Sequence, residues 1–354
     1  MKTFPQLRDE YIQEQYLPLY EEIQRYLEER LLILGKGGNY GNAVILAGGA
    51  GSGKSFAATN LMQGEKFKIF NPDDIKDSLL RMRDAINNKE RDLPTAQSMK
   101  DVLPLLRTLD LRDPKDTGKL HMIVKNLRLD QKRIMSFFAD KNRTELPNIM
   151  FDMTLKDAGA LVGEMGGEQG VLNFLKQGGY KPENIHIVWI LTNYQIALQQ
   201  NFTRERVVAT DIFFNTHRGA AGTMQDIIFR TYPSLGINGD IAVILGGHEG
   251  SIQLKKGGEY TYPSGPNRGK TIRLAHDIKG SAIMDFKYFR VKKAGSRQIN
   301  REALVSIADY IQKSAPPPDM TPEKAQTAAL RAIKANPDRP QVHPTTLKAL
   351  GVMG

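Results

Sequence analysis

The sequence predicts an α/β fold, a mostly parallel sheet with helices on both faces. Short apolar segments that are typical of strands alternate with segments of helical character. They lie at 43–47, 66–70, 148–152, 186–191 and 240–245. The first segment runs directly into a glycine-rich turn and then a helical segment, which is the local order of a parallel α/β unit. Because ligands of such sheets bind at the carboxyl ends of the strands, the residues that follow strand ends are candidates for function.

The glycine-rich turn, GGAGSGKS at 48–55, matches the Walker A pattern G-x-x-x-x-G-K-[ST] at every fixed position. In such a loop the backbone N–H groups surround phosphate oxygens, Lys54 reaches the β- and γ-phosphates, and the Ser55 hydroxyl holds Mg²⁺. The predicted nucleotide-binding residues are Gly48, Gly49, Ala50, Gly51, Ser52, Gly53, Lys54 and Ser55. The alternative, a turn that matches by accident, is disfavoured by the strand before it and the helix after it. The predicted cofactors are therefore ATP and Mg²⁺, although the pattern does not separate ATP from GTP.

The composition excludes several other classes of protein. The chain has 354 residues and no cysteine, so disulfides, thiolate metal sites and cysteine nucleophiles are excluded. No apolar run approaches the ~20 residues that a membrane span needs. The first residues, MKTFPQLRDE, lack the apolar core of a signal peptide. We therefore expect a cytoplasmic protein without a membrane partner.

Changes in pattern along the chain predict four regions. They are a helical extension (1–40), a P-loop core (41–250), a basic region of β-hairpins (251–300), and a helix, Pro-rich linker and tail (301–354). Within the core, residues 87–119 show little periodicity and are predicted to be an insertion. After the linker, a small helix capped at Thr321 and Pro322 is predicted, and the tail that follows this helix is a candidate for disorder.

The net charge of +10 is concentrated in one stretch. Between residues 255 and 301, twelve Lys and Arg residues stand against three acidic residues, a net charge of +9. Such a stretch suits nucleic acid or another phosphate-rich ligand. A solvated basic face explains the same composition equally well.

Two carboxylates follow predicted strand ends. Asp152 closes an apolar strand in the manner of a Walker B residue and is predicted to hold Mg²⁺, although strands often end in Asp. The next residue is Met153, where many hydrolysing ATPases have an acid that activates water, and this favours a substrate hydroxyl as the nucleophile. Asp73 is then the predicted general base. The alternative is that Asp73 or Asp74 only caps a helix that begins near Ile75.

Phosphoryl transfer also needs cations around the transferred group. Arg204 and Arg206 lie in a segment predicted to be helical over 195–208, and Arg218 follows in a predicted loop. We predict that Arg206 and Arg218 line the phosphate as part of a lid. Taken singly, each is equally explained as a surface arginine.

The order of these motifs resembles that of the zeta-toxin-like and polynucleotide-kinase-like P-loop phosphotransferases over residues 42–254. GGAGSGKS is followed by FNPDDIKD at 70–77, FDMTLKD at 151–157, GGY at 178–180 and TRER at 203–206. The resemblance implies a kinase in which Asp73 is the general base and Arg206 and Arg218 line the transferred phosphate. It implies as acceptor either a UDP-activated amino sugar or a hydroxyl on nucleic acid or a modified base, the latter in viral (phage) relatives. Asn71 and Met153 depart from the family pattern, which bears on the acceptor more than on the reaction.

Two other functions stay open at this point. A mechanochemical or regulatory ATPase is supported by Thr192 and Asn193, which follow a buried strand as the polar sensor of ring ATPases does, and by the basic stretch. A binding module that uses nucleotide without turnover is the third hypothesis. ATP-dependent transfer of the γ-phosphate to a hydroxyl acceptor remains the leading one.

Overall fold

The computed structural model describes residues 41–62, 67–90, 97–127, 129, 146–163, 170–246, 259–261, 271–273, 288–336 and 340–352. The predicted helical extension over 1–40 lies outside these residues. The strands, in chain order, are β1 (Ala43–Ala47), β2 (Lys68–Phe70), β3 (Ile149–Asp152), β4 (Ile185–Leu191), β5 (Ile241–Leu245), β6 (Glu259–Thr261), β7 (Thr271–Arg273) and β8 (Tyr288–Lys292). The first five lie within two residues of the strands predicted from the apolar segments.

Helices connect and follow these strands. They are α1 (Lys54–Leu61), α2 (Pro72–Asn87), α3 (Gln97–Arg107), α4 (Pro114–Asn126), α5 (Gly159–Val162), α6 (Val171–Gln177), α7 (Tyr194–Thr203), α8 (Thr210–Asp226), α9 (Arg301–Ser314), α10 (Pro322–Lys334) and α11 (Pro344–Ala349). Several begin at a polar side chain that accepts a hydrogen bond from a first-turn N–H, which is the usual way a helix start is satisfied. Asn71 does this for α2, Asn193 for α7 and Thr321 for α10.

Six strands form one sheet in the order β2-β3-β1-β4-β5-β8. The pairs from β2 to β5 are parallel, and β8 joins β5 as an antiparallel edge strand. β6 and β7 pair with each other, also antiparallel. The phosphate-loop strand β1 is therefore central, and its carboxyl end lies between those of β3 and β4.

Both faces of the sheet are buried, as its alternating core shows. In β1, Ala43, Ile45 and Ala47 join a cluster with residues of α6, α8 and α9. Val44 and Leu46 point to the other face and join Ala57 and Ala58 of α1. A parallel sheet that is covered on both faces requires such uniformly apolar strands. The predicted fold class, an α/β sheet of the P-loop type with helices on both faces and β-strands added after the core, is thus confirmed.

The segment 87–119, which the sequence predicted to be an irregular insertion, instead contains helix. α3 and α4 pack on α2, where Leu106 and Leu120 are fully buried against Leu79. The prediction failed because Pro104 lies inside α3 and interrupts its helical signal. These three helices form a lobe, here called the helical lobe, that begins at the carboxyl end of β2.

The region after the linker, which includes the tail that was a candidate for disorder, is ordered over the residues that the structure describes. α10 buries Ala325, Ala329 and Ile333 against residues of α7 and α8. In α11, the fully buried Thr346 donates a hydrogen bond to the Arg112 carbonyl at 3.0 Å. This region therefore joins the P-loop core to the helical lobe.

Candidate functional site at the carboxyl end of the sheet

The phosphate loop follows β1 and turns tightly at its glycines. Gly51 and Gly53 have φ of 72° and 90°, in the left-handed region that favours glycine. A Cβ atom at Gly51 would lie 2.7 Å from the Ala197 carbonyl oxygen, so a larger residue would displace α7. The Lys54 ammonium folds back over the loop and donates to the carbonyls of Gly48 at 2.9 Å and Gly49 at 3.1 Å. These bonds hold the cation where phosphate oxygens would compete for it.

The strand beside the loop also fastens it. The Thr192 hydroxyl, at the end of β4, is buried and donates to the Ser52 carbonyl at 2.8 Å. The Asn193 side chain accepts from the Gln195 N–H at 2.9 Å and so caps α7. Thr192 and Asn193 thus have structural partners, and their position alone does not support the polar sensor of a ring ATPase.

Ser55 and Asp152 meet across β1 and β3. The Ser55 hydroxyl donates to the Asp152 carboxylate at 2.9 Å. Burial raises the pKa of Asp152, while the Lys54 charge and the Ser55 bond lower it in part. A hydroxyl and a carboxylate oxygen are the hard donors that Mg²⁺ prefers, so the pair fits the predicted metal. No group of three or more acidic, His or Cys side chains suited to a metal occurs among the described residues.

Asp73 does not cap a helix. α2 begins at Pro72 rather than near Ile75, and its cap is Asn71, whose side chain accepts from the Asp73 N–H at 2.9 Å. The alternative in which Asp73 or Asp74 is the cap is therefore wrong. The helix start was predicted too late in the chain, because the Asn-Pro pair at the strand end places the cap at Asn71.

The Asp73 carboxylate instead pairs with two cations. Lys76 Nζ lies 2.8 Å from Oδ1, and Arg206 Nη1 lies 3.0 Å from the same oxygen. Burial raises the pKa of Asp73, but the charges of Lys76 and Arg206 outweigh it, so that the pKa is lowered overall. Asp73 is therefore ionised at neutral pH. Lys76, one turn further along α2, is a member of the site that sequence reasoning did not single out.

The arginine segment lies beyond a helix rather than on one. α7 ends at Thr203, and Arg204 is already extended. Arg206 joins Asp73 to Asp77, whose carboxylate lies 3.1 Å from Nη2. The Val207 N–H donates to the Leu111 carbonyl of the helical lobe at 3.0 Å. The segment is thus held across the start of the lobe, with Arg206 against Asp73.

The charges at this edge act on one another. Burial lowers the pKa of Lys54, and the charges of Asp152, Arg204 and Asp73 also act on it. Arg204 acts on the pKa of Asp73 too, after burial, Lys76 and Arg206. Lys54, Asp73, Asp152 and Arg204 therefore form one electrostatic cluster at the carboxyl end of the sheet.

Arg218 lies in α8 rather than in a loop and has other partners. Its guanidinium donates to the carbonyls of Pro316 at 3.0 Å, Pro317 at 2.7 Å and Met320 at 3.2 Å. It also lies 5.2 Å from the centre of the Phe214 ring. The structure therefore brings Arg204, and not Arg218, into the cluster with Lys54. The Pro-rich linker was the sequence signal for these partners of Arg218, because carbonyls in such a linker have no helical N–H partners and need other donors.

The basic stretch is only partly described. Lys292, at the end of β8, is buried and donates at 3.1 Å to the Asn238 side chain and to the Gly239 carbonyl. Lys293 and Arg297 are exposed. Residues 251–258, 262–270 and 274–287 lie outside the described residues, and so does the side chain of Arg273. A nucleic-acid surface stays a prediction, and Lys292 cannot contribute to it.

Comparison with known proteins gives one distant structural likeness. No protein-family model matches the chain, and no curated protein matches it. One solved structure that it resembles is a chain of the PezAT chromosomal toxin-antitoxin system of the human pathogen Streptococcus pneumoniae, with 12% sequence identity over 63% of this chain and 74% of that chain, at a TM-score of 0.30. A likeness at this level carries no argument about function. Within the described part of the chain, no helix is long and apolar enough to span a membrane.

Proposed function

We propose that this protein is an ATP-dependent phosphotransferase that moves the γ-phosphate to a hydroxyl acceptor. The observation that carries this proposal is Asp73, an ionised carboxylate that neither caps its helix nor belongs to the Ser55 and Asp152 pair. Burial lowers the pKa of Lys54, and Asp73 is close enough to that lysine for its negative charge to raise this pKa against the larger effect of burial. A second carboxylate beside a phosphate loop is what transfer to a hydroxyl requires and what simple nucleotide binding does not.

The residues of the loop and of β3 would hold the nucleotide. The loop amides and Lys54 bind the β- and γ-phosphates, and Ser55 and Asp152 hold Mg²⁺. When bound, the metal neutralises charge on the phosphate oxygens. Arg204 and Arg206 add positive charge at the same edge, and charge that is preorganised in this way stabilises the transition state.

In the proposed reaction the phosphoryl group passes to the acceptor and the acceptor proton passes to Asp73. The acceptor oxygen forms a bond to the γ-phosphorus while the bond from that phosphorus to the β,γ-bridging oxygen breaks, and ADP leaves. The acceptor proton passes to the Asp73 carboxylate. Both Lys76 and Arg206 contact Oδ1 of Asp73, so Oδ2 is the oxygen that faces the acceptor hydroxyl in this proposal.

The acceptor class is left at two candidates. The resemblance to zeta-toxin-like and polynucleotide-kinase-like enzymes, together with the basic stretch, supports a nucleotide sugar or a hydroxyl on nucleic acid or a modified base. A phage origin and a cytoplasmic location are part of the same proposal. The ring-ATPase alternative has lost its support from Thr192 and Asn193, and Met153 at the end of β3 is not an acid.

A transfer assay tests the proposed function. ATP labelled at the γ-phosphate is incubated with the protein and with UDP-sugars, nucleosides, RNA ends or DNA with hydroxylated bases, and ADP and labelled acceptor are both quantified. We expect label on one acceptor class and ADP formation that depends on that acceptor. Lys54→Ala protein purified in parallel controls for contaminating kinases. ADP formation that is equally fast without any acceptor would support the ATPase and exclude the transferase.

A further inference from the structure

Three consecutive residues of α8 connect the phosphate loop to the C-terminal segment, defined here as residues 314–336. Thr216 and His217 contact the loop, while His217 and Arg218 contact the C-terminal segment. None of them belongs to the Walker A motif. α8 therefore connects the predicted nucleotide site to a segment that is distant in sequence.

His217 is the centre of this connection. Its side chain is 3% exposed, with Nε2 lying 2.8 Å from the Ala50 carbonyl oxygen and Nδ1 lying 2.8 Å from the Ser314 carbonyl oxygen. Both partners are acceptors only. A neutral imidazole carries one N–H and donates to one of the two carbonyls, and the ring donates to both when each nitrogen carries a proton. The ring lies so close to the loop that a Cβ atom at Gly49 would come within 2.3 Å of it. Position 49 is variable in the Walker A pattern, so this contact is a separate reason for a glycine there.

Thr216 also contacts Ala50, the loop residue that His217 contacts. The Ala50 N–H donates to the Thr216 hydroxyl at 3.2 Å, and that hydroxyl donates onward to the Phe213 carbonyl at 2.8 Å. Both polar backbone groups of Ala50 are therefore held by α8. In a trans peptide the C=O and the following N–H point in opposite directions. Holding the Ala50 carbonyl against His217 consequently turns the Gly51 N–H away from α8.

A phosphate loop works only if its N–H groups turn toward the ligand and its carbonyls turn away. We propose that His217 is a positioning residue for the nucleotide site, which fixes the orientation of the Ala50–Gly51 peptide and couples it to the C-terminal segment through the Ser314 carbonyl. The proposal rests on the nucleotide-binding step of the proposed function and not on the transfer step. It assigns residues 314–336 to the nucleotide site although they lie more than 250 residues away in sequence.

Substitution of His217 tests this role through nucleotide affinity. The probe is a fluorescent ATP analogue with Mg²⁺, titrated into the unmodified protein, His217→Phe and His217→Gln. Phe keeps a ring beside Phe213 but donates nothing, so we expect its affinity to fall by about 5- to 150-fold, the usual range of coupling between sites. Gln keeps an amide donor and should recover part of this loss.

His186→Gln is the matched control. His186 is also fully buried, but it lies near the amino end of β4, where its Nδ1 accepts from the Asp240 N–H at 2.9 Å. Its replacement should lower the stability and leave the nucleotide affinity of the folded protein unchanged. Equal affinity in His217→Phe and the unmodified protein would overturn the proposal. If the unmodified protein itself does not bind the analogue, the proposed function fails as well, so the two failures are distinguishable.

Hydrogen exchange keeps the proposal testable if the variants do not fold. The unmodified protein is exchanged with and without ATP and Mg²⁺, and peptides that cover residues 309–325 are compared with peptides from α6. We expect bound nucleotide to slow hydrogen exchange in the peptides that cover residues 309–325. Exchange in the peptides from α6 should stay the same. Identical exchange in 309–325 with and without bound nucleotide would overturn the coupling.

Discussion

Both ends of the sheet carry charged side chains, but these differ in exposure and in their partners. At the amino end, Asp240 accepts from the Ala294 N–H at 3.0 Å, and Lys292 donates to the side chain of Asn238 and the carbonyl of Gly239. Asp240 and Lys292 are each 1% exposed. At the carboxyl end, the Asp73 side chain is 46% exposed and pairs with the cations of Lys76 and Arg206.

The difference shows how to separate structural from functional charge in this protein. The amino-end charges bind backbone groups and a fixed amide, and Asp240 also has Arg290 Nε at 3.5 Å from its Oδ1. The carboxyl-end charges bind each other across a more accessible edge, and Lys54 donates to carbonyls of its own loop. Such bonds can be exchanged for phosphate oxygens at little cost in stability.

The largest effect should come from Lys54. Replacement by Ala removes the charge over the phosphate loop, so we expect nucleotide turnover to fall by orders of magnitude while the fold persists. The turnover rate at saturating ATP measures the loss of activity, and unfolding in urea measures whether the fold persists. Turnover at the unmodified rate would show that the carboxyl end is not a phosphate site.

Asp73→Asn should have the next largest effect. It keeps the shape of the side chain and the Asn71 cap but removes the basicity, so transfer should fall by roughly 10²- to 10⁴-fold with nucleotide affinity nearly unchanged. Burial raises the pKa of Asp73, but the charges of Lys76 and Arg206 lower it overall, so its ionisation should not contribute any change in rate between pH 6 and 8. Single-turnover transfer measures the chemical step.

Asp77→Asn is the matched control for that change. Asp77 shares Arg206 with Asp73, at 3.1 Å, and lies one turn further along α2. Its loss should weaken the placement of Arg206 and reduce transfer less than the loss of Asp73. If the two variants transfer equally well, Asp73 is a member of an ion-pair network and not the base.

The arginines test which residue belongs to the cluster. Arg204→Ala should reduce transfer by about 10²- to 10³-fold, the usual cost of one transition-state donor. Arg218→Ala should instead lower the free energy of unfolding by about 1–3 kcal/mol, because it leaves linker carbonyls without donors. Comparing transfer and urea unfolding for both variants decides the matter. A selective loss of transfer in Arg218→Ala would restore the arrangement predicted from the sequence.

The sheet was predictable because uniformly apolar segments and the Walker A pattern are local signals. The central strands β1, β3 and β4 are apolar except for Asp152 at the end of β3 and His186 in β4. The helical lobe was missed because Pro104 and many charges hide its period, and its stability comes from packing on α2. Contacts between helices that are distant in sequence do not produce a periodic pattern of apolar residues, so the sequence does not show them.

The candidate site was predictable where a motif fixes the backbone, as at Lys54 and Ser55. It was not predictable where a side chain chooses between partners that are distant in sequence. Nothing in TRER indicates that Arg206 contacts Asp73 and Asp77, or that Arg218 serves the linker instead. His217 was missed for the same reason, since its two carbonyl partners are 167 and 97 residues away.

Lys292 gives the smallest expected effect and the sharpest test of the amino end. Lys292→Met keeps most of the side-chain volume but leaves Asn238 and Gly239 without this donor, so we expect a loss of about 1–3 kcal/mol in the free energy of unfolding. Lys293→Met, at the exposed neighbouring position, should change stability by less than about 0.5 kcal/mol. Nucleotide affinity of the folded protein should stay the same in both variants, because neither residue lies at the carboxyl end of the sheet. Unchanged stability in Lys292→Met, with weaker binding to DNA or RNA that depends on salt, would instead make Lys292 part of a basic surface and remove the distinction between the two ends.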